Sequence, residues 1–170
     1  MTPEEEAFAA TLTEVIAADL ATHPPEGALV RVILRWFEWR SPEYLTLHVL
    51  GTKDDDQDEP WAPLEWDNGD DELQRTDRIV EHPDVVRTAA VLQPQYEDRD
   101  DIPAEHPPSP ATRAVVARLP QALAHMERVP HFAVVASHFE QYGMLISLRE
   151  ANPPEVVAAL EARDELPPDD

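Results

Sequence analysis

Histidines and carboxylates are the side chains of this chain with chemistry in reach. There are seven of the former, and Asp and Glu together number 35. A resident divalent metal needs imidazoles or carboxylates that one helix face or neighbouring strands bring together, as in His-Glu-x-x-His. His23, His48, His82, His106, His125, His131 and His138 form no such cluster. His131 and His138 lie seven apart, at opposite ends and on opposite faces of one predicted strand. His48 and His138 could meet only across a sheet whose pairing the sequence leaves open. The expectation is isolated histidines and no metal.

The carboxylates give an equally thin chemical signal. The acidic run at 54–59 could hold a hard cation, but it lacks the Asp-x-Asp-x-Asp-Gly order and downstream Glu of a calcium loop. Trp66-Asp-Asn-Gly-Asp-Asp71 reads equally well as an Asn-Gly turn into a helix cap. Carboxylate-pair hydrolysis needs two acids across a cleft. Glu38, Glu43, Glu65 and Asp67 are candidates only by lying near tryptophans and strand ends, a coincidence expected among so many acids. Ser41, Ser137 and Ser147 have no nucleophile-elbow context. Four glycines leave no phosphate loop, and the absence of cysteine excludes thiolate chemistry and disulfides. The sequence therefore favours a non-enzyme with no cofactor. The alternative is a small hydrolase or cation-binding domain built near residues 48, 65–71 and 138.

Charge narrows the partners further. Against the acids stand 13 Lys and Arg, for a formal net charge of -22, and Lys53 is the only lysine. Such a chain repels polyanions and attracts cations, so nucleic acid, which needs clustered Lys and Arg, is not an expected partner. Residues 51–75 hold ten acids against Lys53 and Arg75. Trp36 belongs to the core, whereas Trp39, Trp61 and Trp66 fall near strand ends and acidic loops. Aromatic anchors rimmed by carboxylates suit a protein interface. The expected contact residues are Trp39, Trp61, Glu65, Trp66, Asp67, Asp70 and Asp71, with a basic protein as partner. The competing reading is that these tryptophans fasten a long loop to the sheet. A third reading makes the acidity a solubility or high-salt adaptation only, compatible with a homodimer.

The elements that must position these groups follow from periodicity. The length suits one domain over 1–170, and an apolar fraction of 42% argues against disorder. Thr2, Pro3 and Glu5 spell a capping box before an apolar stripe of Phe8, Leu12, Val15, Ile16 and Leu20. Residues 28–40 read as a strand, with Val30, Val32, Leu34 and Trp36 on one face and Arg31, Ile33, Arg35 and Phe37 on the other. That second face is expected to be partly wet or to meet carboxylates. Tyr44–Leu50 is the antiparallel return strand. Helical periodicity follows through Leu73, Ile79 and Val80, through Val85 to Leu92, and from Ser109-Pro110 to Met126. Phe132–Phe139 and Met144–Leu148 read as a second hairpin, and Asn152, Pro153 and Glu155 start a last helix. The sum is an α+β fold of order α-β-β-α-α-α-β-β-α. Its sheet is expected to be mainly antiparallel, with at least four strands and helices on one face. Acidic loops are expected at 51–72 and 93–109, and a frayed tail at 163–170. No basic leader and no spanning apolar run are present, which makes a cytoplasmic location away from membranes the default expectation.

Trp61-Ala-Pro-Leu-Glu-Trp66, Phe132-Ala-Val-Val-Ala-Ser-His-Phe139 and Leu145-Ile-Ser-Leu-Arg149 give the chain a further likeness. In these stretches and in element order it resembles small bacterial α+β proteins of unknown function, some of them similar to immunity proteins that neutralise toxins. The resemblance implies a non-catalytic inhibitor of a basic partner. It carries no diagnostic motif and transfers no functional residue.

Overall fold

A computed structural model describes residues 1–36, 45–53, 60–62, 69–97, 109–138 and 143–168. The first helix, α1 (Pro3–Thr22), begins as its sequence dictates. The Thr2 hydroxyl accepts from the Glu5 N–H at 3.2 Å, and the Glu5 carboxylate accepts from the Thr2 N–H at 2.7 Å. Such a cap stabilises a helix by about 1 kcal/mol. Ala9, Leu12, Ile16 and Leu20 form its buried stripe, with Phe8 and Val15 packed at the margin.

Strand β1 (Leu29–Trp36) and strand β2 (Leu45–Gly51) pair antiparallel, as expected from their short connection. Helices α2 (Gly69–Val80), α3 (Pro83–Glu97) and α4 (Pro110–Ala122) follow. Ser109 caps α4 by accepting from the Thr112 N–H at 3.1 Å, and Pro110 takes the first turn. Strand β3 (Arg128–His138) then lies on the other side of β1 and runs parallel to it, giving the order β2-β1-β3. The intervening helices supply the long crossover that a parallel pair requires.

The expected mainly antiparallel sheet of at least four strands is thus corrected. Among the described residues the sheet has three strands and is mixed. Residues 144–148 belong to helix α5 (Met144–Ala151), and α6 (Pro154–Glu161) closes the order α-β-β-α-α-α-β-α-α. The apolar run Met144-Leu-Ile-Ser-Leu148 is short enough to suit either element. Burial decides. Met144, Leu145 and Leu148 are buried at helical spacing while Ile146 is 55% exposed, whereas strand alternation would have grouped Ile146 with Met144 and Leu148. Gly143, at φ 81°, adopts the left-handed conformation that turns the chain into the first helical bond, Ser147 N–H to Gly143 C=O at 3.0 Å. Asn152 caps the C-terminus of α5 and does not start the last helix, which begins at Pro154 with Pro153 as its cap.

Helices cover both sheet faces, not one. Side chains of α1, α2, α3 and α4 join Leu29, Val32, Leu34, Leu45, Leu47, Val49 and Val134 in the larger core. On the opposite face Met144, Leu145, Leu148 and Leu160 join Val30, Ile33, Leu50, Trp61, Ala133 and Val135. A register irregularity between Leu29 and Arg31 puts Val30 in this second core. A bulge of that kind breaks the strict alternation that would have grouped Val30 with Val32.

Candidate functional site on the second sheet face

Cross-strand register sorts the second face into three rows. Arg31 lies between Leu50 and Ala133, Ile33 between His48 and Val135, and Arg35 between Thr46 and Ser137. This face was expected to be partly wet or to meet carboxylates. It is dry, with Arg31 0% and Arg35 2% exposed and His48 and Ser137 buried with them, and Arg31 meets a carboxylate, Glu165. His48 Nε2 and the Thr46 hydroxyl lie 3.1 Å apart within hydrogen-bonding reach. Polar groups on a face this dry must find partners within the protein.

Arg31 shows how such a charge is held. Its guanidinium carbon stands 4.6 Å from the centroid of the Trp61 ring, a desolvated cation–π contact of about 2 kcal/mol. One terminal nitrogen, Nη1, donates to the carbonyls of Val30 at 2.8 Å and His131 at 2.9 Å. The other, Nη2, is 3.6 Å from Glu165 Oε2, an ion-pair distance too long for a hydrogen bond. Burial lowers the Arg31 pKa to about 10, with Glu165 opposing the shift and Arg163 adding to it. Arg31 therefore stays cationic at neutral pH.

The Glu165 carboxylate is shared. Arg163 meets it at 2.6 Å, and His131 Nε2 lies 3.9 Å away. The hydrogen bond from Arg163 lowers the Glu165 pKa most, against partial burial, with Arg163, His131 and Arg31 charges adding. Burial, then the Arg31 and Arg163 cations, lower the His131 pKa. The C-terminal segment, expected to fray after Ala162, instead closes this face. Trp61 Nε1 donates to the Glu165 carbonyl at 2.8 Å, Leu166 packs on the second core, and Pro167 is buried.

A second charged knot joins α1 to α2. Asp19, whose side chain is 7% exposed, accepts from Arg78 Nε at 2.6 Å and Nη2 at 3.1 Å and pairs with Arg75 at 3.5 Å. Arg75 also donates to the His23 carbonyl at 2.9 Å. On the surface Arg87 pairs with Asp84, Arg113 with Glu150 and Arg118 with Glu6. Much of the chain's positive charge is thereby spent on its own carboxylates.

No family model, curated protein or solved structure matches this chain.

Of the residues expected to contact a partner, Trp61 is buried at 7% exposure and fastens its segment to the sheet through Arg31 and Glu165. Asp70 and Asp71 lie in the first turn of α2, and Trp39, Glu65, Trp66 and Asp67 lie outside the described residues, as does the run 54–59. His48 sits opposite Ile33 and His138 opposite Trp36, so the two histidines are separated by all of β1 and three residues of register. Among the described residues no group of three or more His, Asp or Glu could hold a metal, and no helix is long and apolar enough to cross a membrane. The constellation that sequence missed is Arg31, Trp61 and Glu165, brought together from three distant segments. Its one sequence signal is the arginine pair on a strand face otherwise built of apolar residues.

Proposed function

We propose that this chain is a non-catalytic, acidic binding protein for a basic protein partner, of inhibitor or immunity type. One observation supports this most: seven of the twelve arginines pair with the chain's own carboxylates, so exposed acids outnumber the exposed Lys53, Arg128 and Arg149 on the described surface. Arg31, Arg75, Arg78, Arg87, Arg113, Arg118 and Arg163 each lie within ion-pair distance of a carboxylate of the same chain. Glu14, Glu26, Asp77, Glu81, Glu127, Glu155 and Glu161 are exposed. A field of that sign steers cationic partners and accelerates their encounter. Because Trp61 is buried, the attraction rests on carboxylates, with no help from that indole. The test is affinity capture from the native cell at low salt, repeated near 1 M, where the screening length falls to roughly 3 Å. Recovery of one basic protein at low salt only, and its rebinding as a purified pair, supports the reading. Recovery of none overturns it.

A second reading has its own observation. Among the described residues exposed acids occur on five of the six helices, α1, α2, α3, α5 and α6, a spread along the chain that suits a solvating or high-salt surface. That reading has stability rising with salt and no partner. The hydrolase or cation-binding alternative has less behind it, because His48 and His138 are set apart by register and the described residues hold no metal-ligating group.

A further inference from the structure

We propose that the Nε–Nη2 edge of Arg31, backed by the Trp61 indole, is a carboxylate-binding site. At rest it is held by Glu165 of the chain's own C-terminal segment, and it is open to an external monocarboxylate when that segment lifts. A guanidinium recognises a carboxylate through two parallel N–H groups. In Arg31 the Nη1 hydrogens are taken by the Val30 and His131 carbonyls. Nε, fully buried, has no hydrogen-bond partner among the described residues, and Nη2 reaches Glu165 only at 3.6 Å. The two-pronged edge is thus unused. The indole and the two carbonyls fix the plane of the fork, so it is organised before any ligand arrives.

Glu165 is an imperfect occupant because it serves two cations. Its Oε1 is drawn to Arg163 at 2.6 Å, which leaves Oε2 short of Arg31. It prevails through tethering, since a linked group acts at a high effective concentration, while the net charge of -22 disfavours free anions at a distance. A tight turn places Glu165. Asp164, at φ 57°, is the one described non-glycine residue in the left-handed region, and it directs Glu165 back over α6, where the Glu165 N–H donates to Leu160 C=O at 2.9 Å. Lifting the segment beyond this point would break the contacts of Glu165 with both Arg31 and Trp61. The ligand class is a small acyclic carboxylate or the carboxylate of a peptide, planar and able to reach both nitrogens.

The experiment is a titration of the full-length chain and of Glu165→Gln with sodium acetate, matched in ionic strength by sodium chloride, following the Trp61 indole N–H by NMR. Glu165 opposes an incoming carboxylate both as a tethered competitor and as a like charge beside the fork. Removing the competing carboxylate should therefore lower the half-saturating acetate concentration by about tenfold or more. Chloride should move the signal in neither protein. Equal half-saturation in the two proteins, an equal response to chloride, or no saturable response in Glu165→Gln overturns the proposal. Arg31→Lys keeps the charge without the fork and should abolish the acetate response with helix content unchanged; should it not fold, the Glu165→Gln titration decides alone.

Discussion

The side-chain amide of Asn152 occupies the hydrogen-bonding position of a neighbouring strand beside Val134. Its Oδ1 accepts from the Val134 N–H at 2.9 Å, and its Nδ2 donates to the Val134 carbonyl at 2.6 Å. Two residues along the same edge, the Ser147 hydroxyl accepts from the Ala136 N–H at 2.7 Å. At the far edge of the sheet the Thr76 hydroxyl accepts from the Leu47 N–H at 3.2 Å. Helix side chains thus cover backbone groups on both outer strands. Exposed strand edges invite pairing with other chains, and these contacts occupy part of both edges.

Asn152→Ala should destabilise the fold by about 3 kcal/mol, because it strands a buried N–H and a buried C=O that cost roughly 1–3 kcal/mol each. Urea unfolding measures this. Asn152→Asp should be at least as damaging at neutral pH, where a carboxylate cannot donate to the Val134 carbonyl, and should partly recover in acid once an O–H donor returns. Equal stability of wild type and Asn152→Ala would remove the strand-mimic account.

Asp164→Gly should stabilise the chain by about 1 kcal/mol, since glycine adopts the left-handed conformation without steric cost. The turn is closed by Asp164 N–H to Glu161 C=O at 3.1 Å and Glu165 N–H to Leu160 C=O at 2.9 Å, the pattern of a glycine-terminated helix. A fall in the urea midpoint would show that the Asp164 side chain matters more than its backbone.

Asp19→Asn should cost about 3 kcal/mol, because it removes the carboxylate that Arg75, itself buried, shares with Arg78. The loss should appear as a lower thermal midpoint and faster hydrogen exchange in α2, which this knot ties to α1.

Acid should loosen the C-terminal segment before the rest of the fold. Glu165 has a lowered pKa, so its contribution is complete above the ordinary glutamate range and disappears as pH falls through the lower folded value. His131 is also lowered, so the folded state favours the neutral imidazole. That contribution is present above the ordinary histidine value and is lost as pH falls below it towards the folded value. Tryptophan emission followed from neutral to acid pH should change first below the ordinary histidine value and then below the ordinary glutamate range, and Glu165→Gln should flatten only the lower part. A single transition unaffected by Glu165→Gln would contradict this.

Local signals made much of the fold legible. Thr2 and Glu5, then Ser109 and Pro110, announce helix starts because a capping side chain bonds backbone only three residues away. The β1–β2 hairpin follows from its short connection. Met144–Leu148 was ambiguous because five apolar-rich residues fit either period, and the choice was made by tertiary contacts, with Ser147 and Asn152 supplying what β3 needed at its edge. Parallel pairing of β1 with β3 is set across about a hundred residues and the meeting of Arg31 with Glu165 across about 130, and no local pattern encodes either. Arg31 did announce itself as an arginine on a strand face that needed a carboxylate; which carboxylate was a matter of topology.

The central claim is that the acidity serves binding. The most direct measurement follows capture of a basic partner and the unfolding midpoint of the free chain over one salt series, up to about 1 M. The account predicts capture of a specific basic protein at low salt, lost steeply as salt rises, from a chain already folded at the low-salt end. A midpoint that climbs throughout the series, with no protein captured at any salt, would contradict it and assign the charge to solvation alone.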